Sequence, residues 1–199
     1  PTALTATATK VQDVQCNGAA DGSISVSASG GTPNYTYLWD DGAGQTTTTA
    51  ANLLPGNYTV TVTDDNGCTF TTPAVSITEP TALTATATKV QDVQCNGDAD
   101  GSISVSASGG TPNYTYLWDD GAGQTTTTAT NLAPGNYTVT VTDDNGCTFT
   151  TPAVTITEPT ALTATATKVQ DVQCNGASDG SISVSASGGT PNYTYLWDD

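Results

Sequence analysis

Apolar and polar residues alternate along most of the chain, in stretches that are each only a few residues long. In GSISVSASGG the isoleucine, valine and alanine share one face of a strand and the serines occupy the other. NYTVTVTDDNG likewise places tyrosine and two valines opposite a row of threonines. A period of two residues is typical of half-buried β-strands, and no stretch has the period of an amphipathic helix. The pattern therefore predicts an all-β protein.

Turn-forming segments separate the predicted strands. CNGAADG, GGTPN, DDGAGQ, NLLPGN and DDNG are rich in glycine, proline, asparagine and aspartate, the residues that favour tight turns. About seven short strands separated in this way are typical of an immunoglobulin-like β-sandwich. Pro73 interrupts the last of them, which predicts an edge strand with a bulge.

Two aromatic positions fit this sandwich. Trp39 lies on the presumed strand C, where such folds bury a tryptophan, and Trp118 is its counterpart in a second copy of the pattern. LLPGNY resembles a tyrosine corner, in which the hydroxyl of Tyr58, and likewise of Tyr137, bonds to the backbone upstream. We expect the aromatic residues to pack in the core. The alternative is an exposed platform on which sugars stack.

The whole pattern recurs with a period of about 79 residues. Copies begin at Pro1, Pro80 and Pro159, and the first two differ at only four positions. We predict β-sandwich repeats at residues 1–79 and 80–158 and the first half of a third at 159–199. Half of a small β-domain buries little core. We therefore interpret the chain as a segment of a longer repeat array. The alternative is that strands from another chain complete the third copy.

The connection between copies is short. Only EPT, Glu79–Thr81, separates the last strand of the first copy from the next strand, and proline fixes its own φ. A linker of this kind allows little bending. We therefore predict an extended, stiff rod that advances roughly 35–50 Å per copy, from the length of its strands.

The composition argues against several functions. The 199 residues carry a formal net charge of −16, with three basic residues and no histidine. So acidic a surface repels nucleic acids and anionic lipids. No apolar run is long enough to cross a membrane. Without histidine, arginine, a phosphate-binding glycine loop or a nucleophile motif, we expect neither an enzyme nor a cofactor.

Five cysteines recur with the copies and indicate an oxidising, extracellular location. They are Cys16, Cys68, Cys95, Cys147 and Cys174. One hypothesis pairs them within each copy, Cys16 with Cys68 and Cys95 with Cys147. In an immunoglobulin-like topology, however, Cys16 and Cys68 fall at opposite ends of the sandwich, too far apart for a bond. A staggered bond between Cys16 and Cys147 of the next copy is the second hypothesis, and free thiols are the third.

Acidic residues gather at the predicted joint between copies. Asp13, Asp21, Asp40, Asp41 and Glu79 fall toward one end, and Asp143 and Asp144 fall on the facing end of the next copy. A Ca²⁺ ion takes six or more oxygen ligands, which this joint offers. The other interpretation is that these residues form turns and keep the surface soluble. Because EF-hand spacing is absent, a metal is not expected, and Ca²⁺ between copies is the weaker hypothesis.

Both full copies contain the motifs Cys-Asn-Gly, Asp-Gly-Ser-Ile, Gly-Gly-Thr-Pro, Tyr-x-Tyr-x-Trp, Pro-Gly-x-Tyr-x-Val-x-Val-x-Asp and Asn-Gly-Cys, and the partial third copy contains the first four. Together these motifs resemble the SprB-type repeat of gliding bacteria. The likeness covers essentially the whole chain. It implies a very large secreted surface protein, exported by the type IX system and displayed as a mobile adhesin or filament.

Two functions follow from these observations. The first is structural: a repeat region of a bacterial cell-surface protein that forms a stiff extracellular filament or adhesin stalk for gliding motility. Its partners are neighbouring repeats, other copies in a filament and surface polysaccharide. The second is a multivalent carbohydrate-binding array, in which many weak sites add up by avidity. A binding array should expose Tyr35 or Tyr37 beside polar groups, whereas a stalk should bury them.

Overall fold

A computed structural model describes residues 2–198. Pro1 and Asp199, the outer limits of the first and third predicted repeats, lie outside the described residues. Every regular element of the described part is a β-strand. No helix there is long and apolar enough to cross a membrane. The all-β prediction is confirmed.

The first repeat contains eight strands: β1 (Thr5–Gln12), β2 (Gly22–Ser29), β3 (Thr36–Trp39), β4 (Thr49–Leu53), β5 (Gly56–Tyr58), β6 (Val60–Thr63), β7 (Thr69–Thr71) and β8 (Val75–Ile77). The second repeat has the same series: β9 (Thr84–Gln91), β10 (Gly101–Ser108), β11 (Thr115–Trp118), β12 (Thr128–Leu132), β13 (Gly135–Tyr137), β14 (Val139–Thr142), β15 (Thr148–Thr150) and β16 (Val154–Ile156). The third has β17 (Thr163–Gln170) and β18 (Ser181–Ser187).

The strands of the first repeat form the two faces of a sandwich. One sheet has the order β1-β2-β4 and the other the order β3-β6-β7, with β5 paired to β8. All of these pairs are antiparallel. This arrangement corresponds to strands A, B and E facing strands C, F and G of an immunoglobulin-like domain. The second repeat has the same pairings, so the tandem immunoglobulin-like repeat with the predicted period is confirmed.

Two predicted strands are each divided in two. Strand F consists of β5 and β6, and strand G consists of β7 and β8, with Pro73 in the gap of strand G. Thr72 beside that proline is buried. Its backbone N–H donates to the Val60 carbonyl at 3.0 Å, and its hydroxyl accepts from the Val60 N–H at 3.3 Å. The interruption therefore keeps its hydrogen bonds, as a buried polar group requires.

The inward face of each strand forms the core. In the first repeat the buried side chains are Val14, Ile24, Val26, Trp39, Ala50, Leu53, Val60, Val62 and Ile77. The alternating positions of the predicted strands supply most of this set. Their burial removes apolar surface from water, which is the main favourable contribution to the stability of such a domain.

One glycine shows why the turn after β2 has its sequence. Gly30 has φ +74°, and a Cβ added there would lie 2.0 Å from the Ala3 carbonyl oxygen. The Tyr35 hydroxyl donates to the Gly30 carbonyl at 2.6 Å. The Gly-Gly-Thr-Pro motif therefore brings two chain segments closer together than any side chain would permit.

The chain divides into two compact units that do not coincide with the sequence period. The first comprises Pro1–Thr84, Ala107–Tyr114 and Thr142–Phe149. The second comprises Ala85–Ser106, Thr115–Val141 and Thr150–Asp199. Two loops of the second repeat thus belong to the same unit as the first repeat. The predicted domain limits 1–79, 80–158 and 159–199 stay a prediction.

Candidate functional site

A disulfide bond lies within the first unit. Cys16 is bonded to Cys147, 131 residues further along the chain, with a Cα–Cα distance of 5.7 Å. Cys16 follows β1 of the first repeat, and Cys147 directly precedes β15 of the second. Of the pairings considered from sequence, the structure has the staggered one.

The Cys16 side of the bond is tied to the first repeat. Val14, two residues earlier, is buried in the core, and its N–H donates to the Thr78 carbonyl at 3.0 Å. The N–H of Gln15 donates to Oδ1 of Asp21 at 3.1 Å. The turn that presents Cys16 is therefore held on both sides.

The Cys147 side is built on one buried carboxylate. Oδ1 of Asp143 accepts the N–H groups of Asn145 and Cys147, at 3.0 and 2.8 Å. Its Oδ2 accepts the Thr111 N–H at 2.8 Å. Aspartate favours such turns because its side chain replaces a backbone acceptor. The DDNGC sequence thus forms a compact loop with its cysteine at the surface.

The two sides also meet outside the sulfur atoms. Nδ2 of Asn145 donates to the Gln15 carbonyl at 3.0 Å and to Oγ1 of Thr111 at 2.9 Å. Ala82 and Leu83, at the start of the second repeat, line the small cleft beside the bond. The position of the DDNGC turn next to Cys16 is therefore fixed by the hydrogen bond from Asn145 to the Gln15 backbone as well as by the disulfide.

The turn at Cys16 also holds the connection between the first two repeats. The N–H of Gly18 donates to Oε2 of Glu79 at 2.6 Å, and Nδ2 of Asn17 donates to the Pro80 carbonyl at 3.0 Å. Gly97 and Asn96 make the corresponding bonds one repeat later, at 2.7 and 3.1 Å. The Cys-Asn-Gly motif thus combines a cysteine with two groups that bind the linker.

The hypothesis of a disulfide within each copy is wrong, as the remaining three cysteines show. Cys68, Cys95 and Cys174 are exposed free thiols. The structure therefore has neither the Cys16–Cys68 bond nor the Cys95–Cys147 bond. The physical reason is the one that topology suggests: Cys16 and the DDNGC turn of its own repeat fall at opposite ends of the sandwich, and a disulfide needs Cα atoms within about 7 Å.

The free turn of the first repeat has the same internal structure as the bonded one. Oδ1 of Asp64 accepts the Cys68 N–H at 2.8 Å, and its Oδ2 accepts the Thr32 N–H at 2.9 Å. The hydrogen bonds from Thr32, and then from Cys68, hold the pKa of Asp64 below its usual value. The turn therefore has the same hydrogen bonds when its cysteine is free.

The seven carboxylates proposed as Ca²⁺ ligands have separate roles. Asp13 binds the Thr78 N–H and Lys10, both at 2.7 Å, whereas Asp143 organises the DDNGC turn. The others bind local groups or lie exposed: Asp21 accepts from Gln15, Asp40 from Thr59, Asp41 from Gly44, Glu79 from Gly18, and Asp144 is exposed. Within residues 2–198, no three acidic or cysteine side chains come together as a metal site. The gathering expected at the joint is not formed.

Ion pairing and hydrogen bonding lower the pKa of Asp13. The Lys10 side chain is the largest cause, and the Thr78 N–H is the next. The pKa of Asp41 is also lowered: burial raises it, but hydrogen bonds from Gln45 and Gly44 outweigh that effect. Side-chain donors, and then backbone N–H groups, therefore favour the charged form of both carboxylates.

The aromatic residues take structural positions. Trp39 and Trp118 are buried, and their indole N–H groups donate to the Thr47 and Thr126 carbonyls, each at 2.9 Å. The hydroxyl of Tyr58 donates to the Leu54 carbonyl, and that of Tyr137 to the Ala133 carbonyl, again at 2.9 Å. This is the geometry of a tyrosine corner.

Tyr35 and Tyr37 bear directly on carbohydrate binding. Both are half-buried and pack against the core of the first repeat. The Tyr35 hydroxyl is bonded to Gly30, and Tyr37 lies opposite Val62 across the β3–β6 pair. Neither ring forms an open stacking platform.

Three residues of the turns are not apparent as functional from sequence. Asp143 is there only a turn or metal candidate and Asp64 is not singled out, yet each is the buried centre of a DDNGC turn. Asn145 is not singled out either, although it bonds to Gln15 across the joint. The available signal is the Asp-x-Asn-Gly-Cys spacing, because an aspartate followed by such residues favours a side-chain-capped turn.

The sequence matches the profile of a known protein family. The sequence profile of the SprB repeat matches residues 8–44, 87–123 and 166–199, which together make up more than half of the chain. The chain belongs to the SprB repeat family. Each match begins on the first strand of a repeat and includes the Cys-Asn-Gly turn. The joint cysteine Cys16 and its counterparts Cys95 and Cys174 thus fall inside the matched segments.

Several solved structures are similar to the chain at low sequence identity. A C-terminal 282-residue fragment of intimin, in complex with the intimin-binding domain of its translocated receptor, is 16% identical with a TM-score of 0.38, over 84% of this chain and 67% of that one. A tetra-tandem repeat from the extending region of a large adhesion protein is 17% identical with a TM-score of 0.31, over 94% and 63%. Fibronectin(III)-like modules of Clostridium thermocellum CbhA are 15% identical with a TM-score of 0.32, over 76% and 94%. No curated protein sequence matches significantly.

Proposed function

We propose that these SprB repeats are a structural region of a large secreted bacterial surface adhesin. In this role they form a stiff extracellular stalk or filament of the gliding-motility type, exported by the type IX system. The observation that carries the proposal is the bond from Cys16 to Cys147, because it joins a turn of one repeat to a turn of the next. A cross-link of this kind serves a load-bearing array.

The linker contacts support the same role. Asn17 and Gly18 bind the Glu79–Pro80 connection, and Asn96 and Gly97 do the same one repeat later. The linker has few conformations because these hydrogen bonds hold it and because proline fixes its own φ. Disulfides persist in oxidising compartments, which agrees with a location outside the cell. A carboxylate-rich surface with a charge of −16 also favours solubility there.

A multivalent carbohydrate-binding array is less well supported. The rings that would stack on a sugar, Tyr35 and Tyr37, pack against the core of the first repeat. The Tyr35 hydroxyl already donates to Gly30. A non-catalytic, structural role is therefore the better proposal, with neighbouring repeats as the first partners and other chains or surface polysaccharide as further ones.

Small-angle X-ray scattering tests the stalk. We expect the oxidised chain to give the distance distribution of a stiff, elongated particle, and Asn17→Ala to broaden it by loosening the linker. The matched control is Asn175→Ala, the equivalent residue of the third repeat, which should leave the distribution unchanged. A random-coil-like distribution for the oxidised chain would refute the stalk.

A glycan array and quenching of tryptophan fluorescence by sugars test the competing function. The stalk proposal expects no specific signal. Saturable binding that is lost in Tyr37→Ala, at a site repeated in each copy, would instead establish the carbohydrate-binding array.

A further inference from the structure

We propose that the Cys16–Cys147 bond is a tension bypass, which carries a pull on the chain ends past the intervening residues. The two cysteines are separated by 131 residues in sequence but by only 5.7 Å between Cα atoms. Tension follows the shortest covalent path. Everything between the cysteines therefore stays off the load path while the bond is intact.

The bypassed segment contains most of the folded structure. It runs from β2 to β14, and so includes the second sheet of the first repeat and nearly all of the second repeat's core. Buried Trp39, Val60, Trp118 and Val139 all lie inside it. These cores would otherwise have to resist a pull by their own packing and hydrogen bonds.

Few strands remain on the load path up to the end of the second repeat. The pull enters along β1, crosses from Cys16 to Cys147 and leaves along β15 and β16. β1 is at the edge of its sheet, with β2 as its neighbour. Cys16 lies shortly after the end of β1, and Cys147 immediately precedes β15. The load therefore reaches the bond once β1 detaches on the N-terminal side and β15 and β16 detach on the C-terminal side.

The spacing matters if the repeats form a stalk, a consequence that rests on the function proposed above. The bond spans 131 residues, which is longer than one period of the sequence. Bonds of the same kind in an array would therefore overlap. The shortest covalent path would then use every second bond, and the stretch from Cys147 to Cys174, with its linker, would stay loaded. Every second linker would thus be relieved of load, whereas bonds within copies would leave every linker and its flanking strands loaded.

Stretching one molecule between its ends measures the bypass. At roughly 3.6 Å per residue, the 199-residue chain without bonds extends to about 710 Å, whereas the staggered bond limits it to about 250 Å. Two bonds within copies, Cys16–Cys68 and Cys95–Cys147, would instead allow about 350 Å on the same scale. The three connectivities therefore differ in maximal length.

The experiment is optical-tweezers pulling of the full chain through enzymatically attached handles at both ends. We expect the oxidised chain to stop at about 250 Å and the chain treated with a phosphine reductant to reach about 710 Å, a roughly threefold difference. The variant C16S/C147S should reach the longer limit without reductant. Maximal length does not depend on folding, so this variant is informative even if it is unstable.

The controls separate this pair from the other cysteines. A variant with Cys68, Cys95 and Cys174 all replaced by serine keeps only the proposed pair, and it should also stop at about 250 Å. An oxidised wild type that extends to about 350 Å or to about 710 Å would overturn the bypass. Because the measurement reports covalent topology alone, the bypass can fail while scattering still shows a stiff stalk, and the reverse also holds.

Discussion

The first repeat and the third, as far as both extend, have nearly the same sequence but differ in burial. Residues 1–41 and 159–199 differ only at Ala20 and its counterpart Ser178. β1–β2 and β17–β18 pair in the same register, including the shift after the lysine. Yet Ile24 is 0% exposed and Ile182 is 59% exposed. The hairpin therefore depends on local sequence, whereas burial depends on other strands.

The equivalent tryptophans of the first and third repeats also differ in exposure, and the strands present only in the first repeat explain the difference. Trp39 is 2% exposed against 47% for Trp197. In the first repeat, β4, β6 and β8 contribute Ala50, Leu53, Val60, Val62 and Ile77 to the core around Ile24 and Trp39. The described part of the third repeat has no equivalents of these strands. Thr36–Trp39 is a strand in the first repeat, whereas the corresponding residues of the third form no strand. A strand at this position requires its neighbour β6, because an isolated strand has no partner for its backbone groups.

The largest effect should come from removing the buried tryptophan. We expect Trp39→Ala to destabilise the first repeat by about 3–5 kcal/mol, since it leaves a cavity in the core. The matched change Trp197→Ala should cost less than about 0.5 kcal/mol, because that ring is half exposed. Hydrogen exchange of the Val60 and Val62 amides reports the loss locally. Equal effects of the two substitutions would contradict the comparison.

The next effect concerns the cysteines at the same position of each repeat. We expect Cys16→Ser to destabilise the chain by about 2–4 kcal/mol, by removing a cross-link that closes a long loop. Cys174→Ser should change almost nothing, because Cys174 is an exposed thiol. Chemical denaturation of oxidised protein provides the measurement, with reduced wild type as a further control. A reduced wild type as stable as the oxidised one would argue against a stabilising bond.

A third, smaller effect should depend on pH. Asp64 holds the loop after β2 through Thr32, and its pKa is lowered in the folded state. A lowered pKa adds stability that is present above the unfolded value, about 3.9, and is lost as the pH falls through the folded value. We expect Asp64→Asn to weaken the first repeat at neutral pH and to flatten its loss of stability in acid. Asp65→Asn, next to it, is the control, and an unchanged acid profile in Asp64→Asn would refute the role of this carboxylate.

The smallest effect should come from the surface ion pairs. Lys10 lies 2.7 Å from Asp13, and Lys168 lies 2.9 Å from Asp171 in a more exposed setting. We expect Lys10→Ala to cost at most about 0.5 kcal/mol and Lys168→Ala nothing measurable, since exposed pairs contribute little. Thermal unfolding at low and high salt measures both. A large, salt-independent loss in Lys10→Ala would show that its aliphatic stem packs against the repeat.

Much of the fold was predictable from the pattern of residues. Alternation placed Ile24, Val26, Val60 and Val62 inward, and turn residues marked the ends of the strands. The sequence pattern did not single out the buried Val14, Ala50 and Leu53, because they lie next to turns or in a stretch without clear alternation. Their burial results from the sheets closing over them, which no short window of sequence contains.

The joint was only partly predictable. The cysteine count and the geometry of a sandwich left three hypotheses: a bond within each copy, a staggered bond and free thiols. Within the described residues the carboxylates do not cluster into a cation site, because most of them accept hydrogen bonds from separate backbone N–H groups. A carboxylate that already accepts two or three hydrogen bonds has fewer free oxygens for a metal.

Local sequence alone determined the first hairpin of a repeat and its register, since its two strands pair identically with and without a covering sheet. It could not choose the partner of Cys16, because Asp64–Cys68 and Asp143–Cys147 have the same sequence and form the same turn. Only the tertiary structure decided between them. It brought the second turn, 131 residues away, to within bonding distance of Cys16, because a disulfide depends on distance in space and not on the identity of the turn.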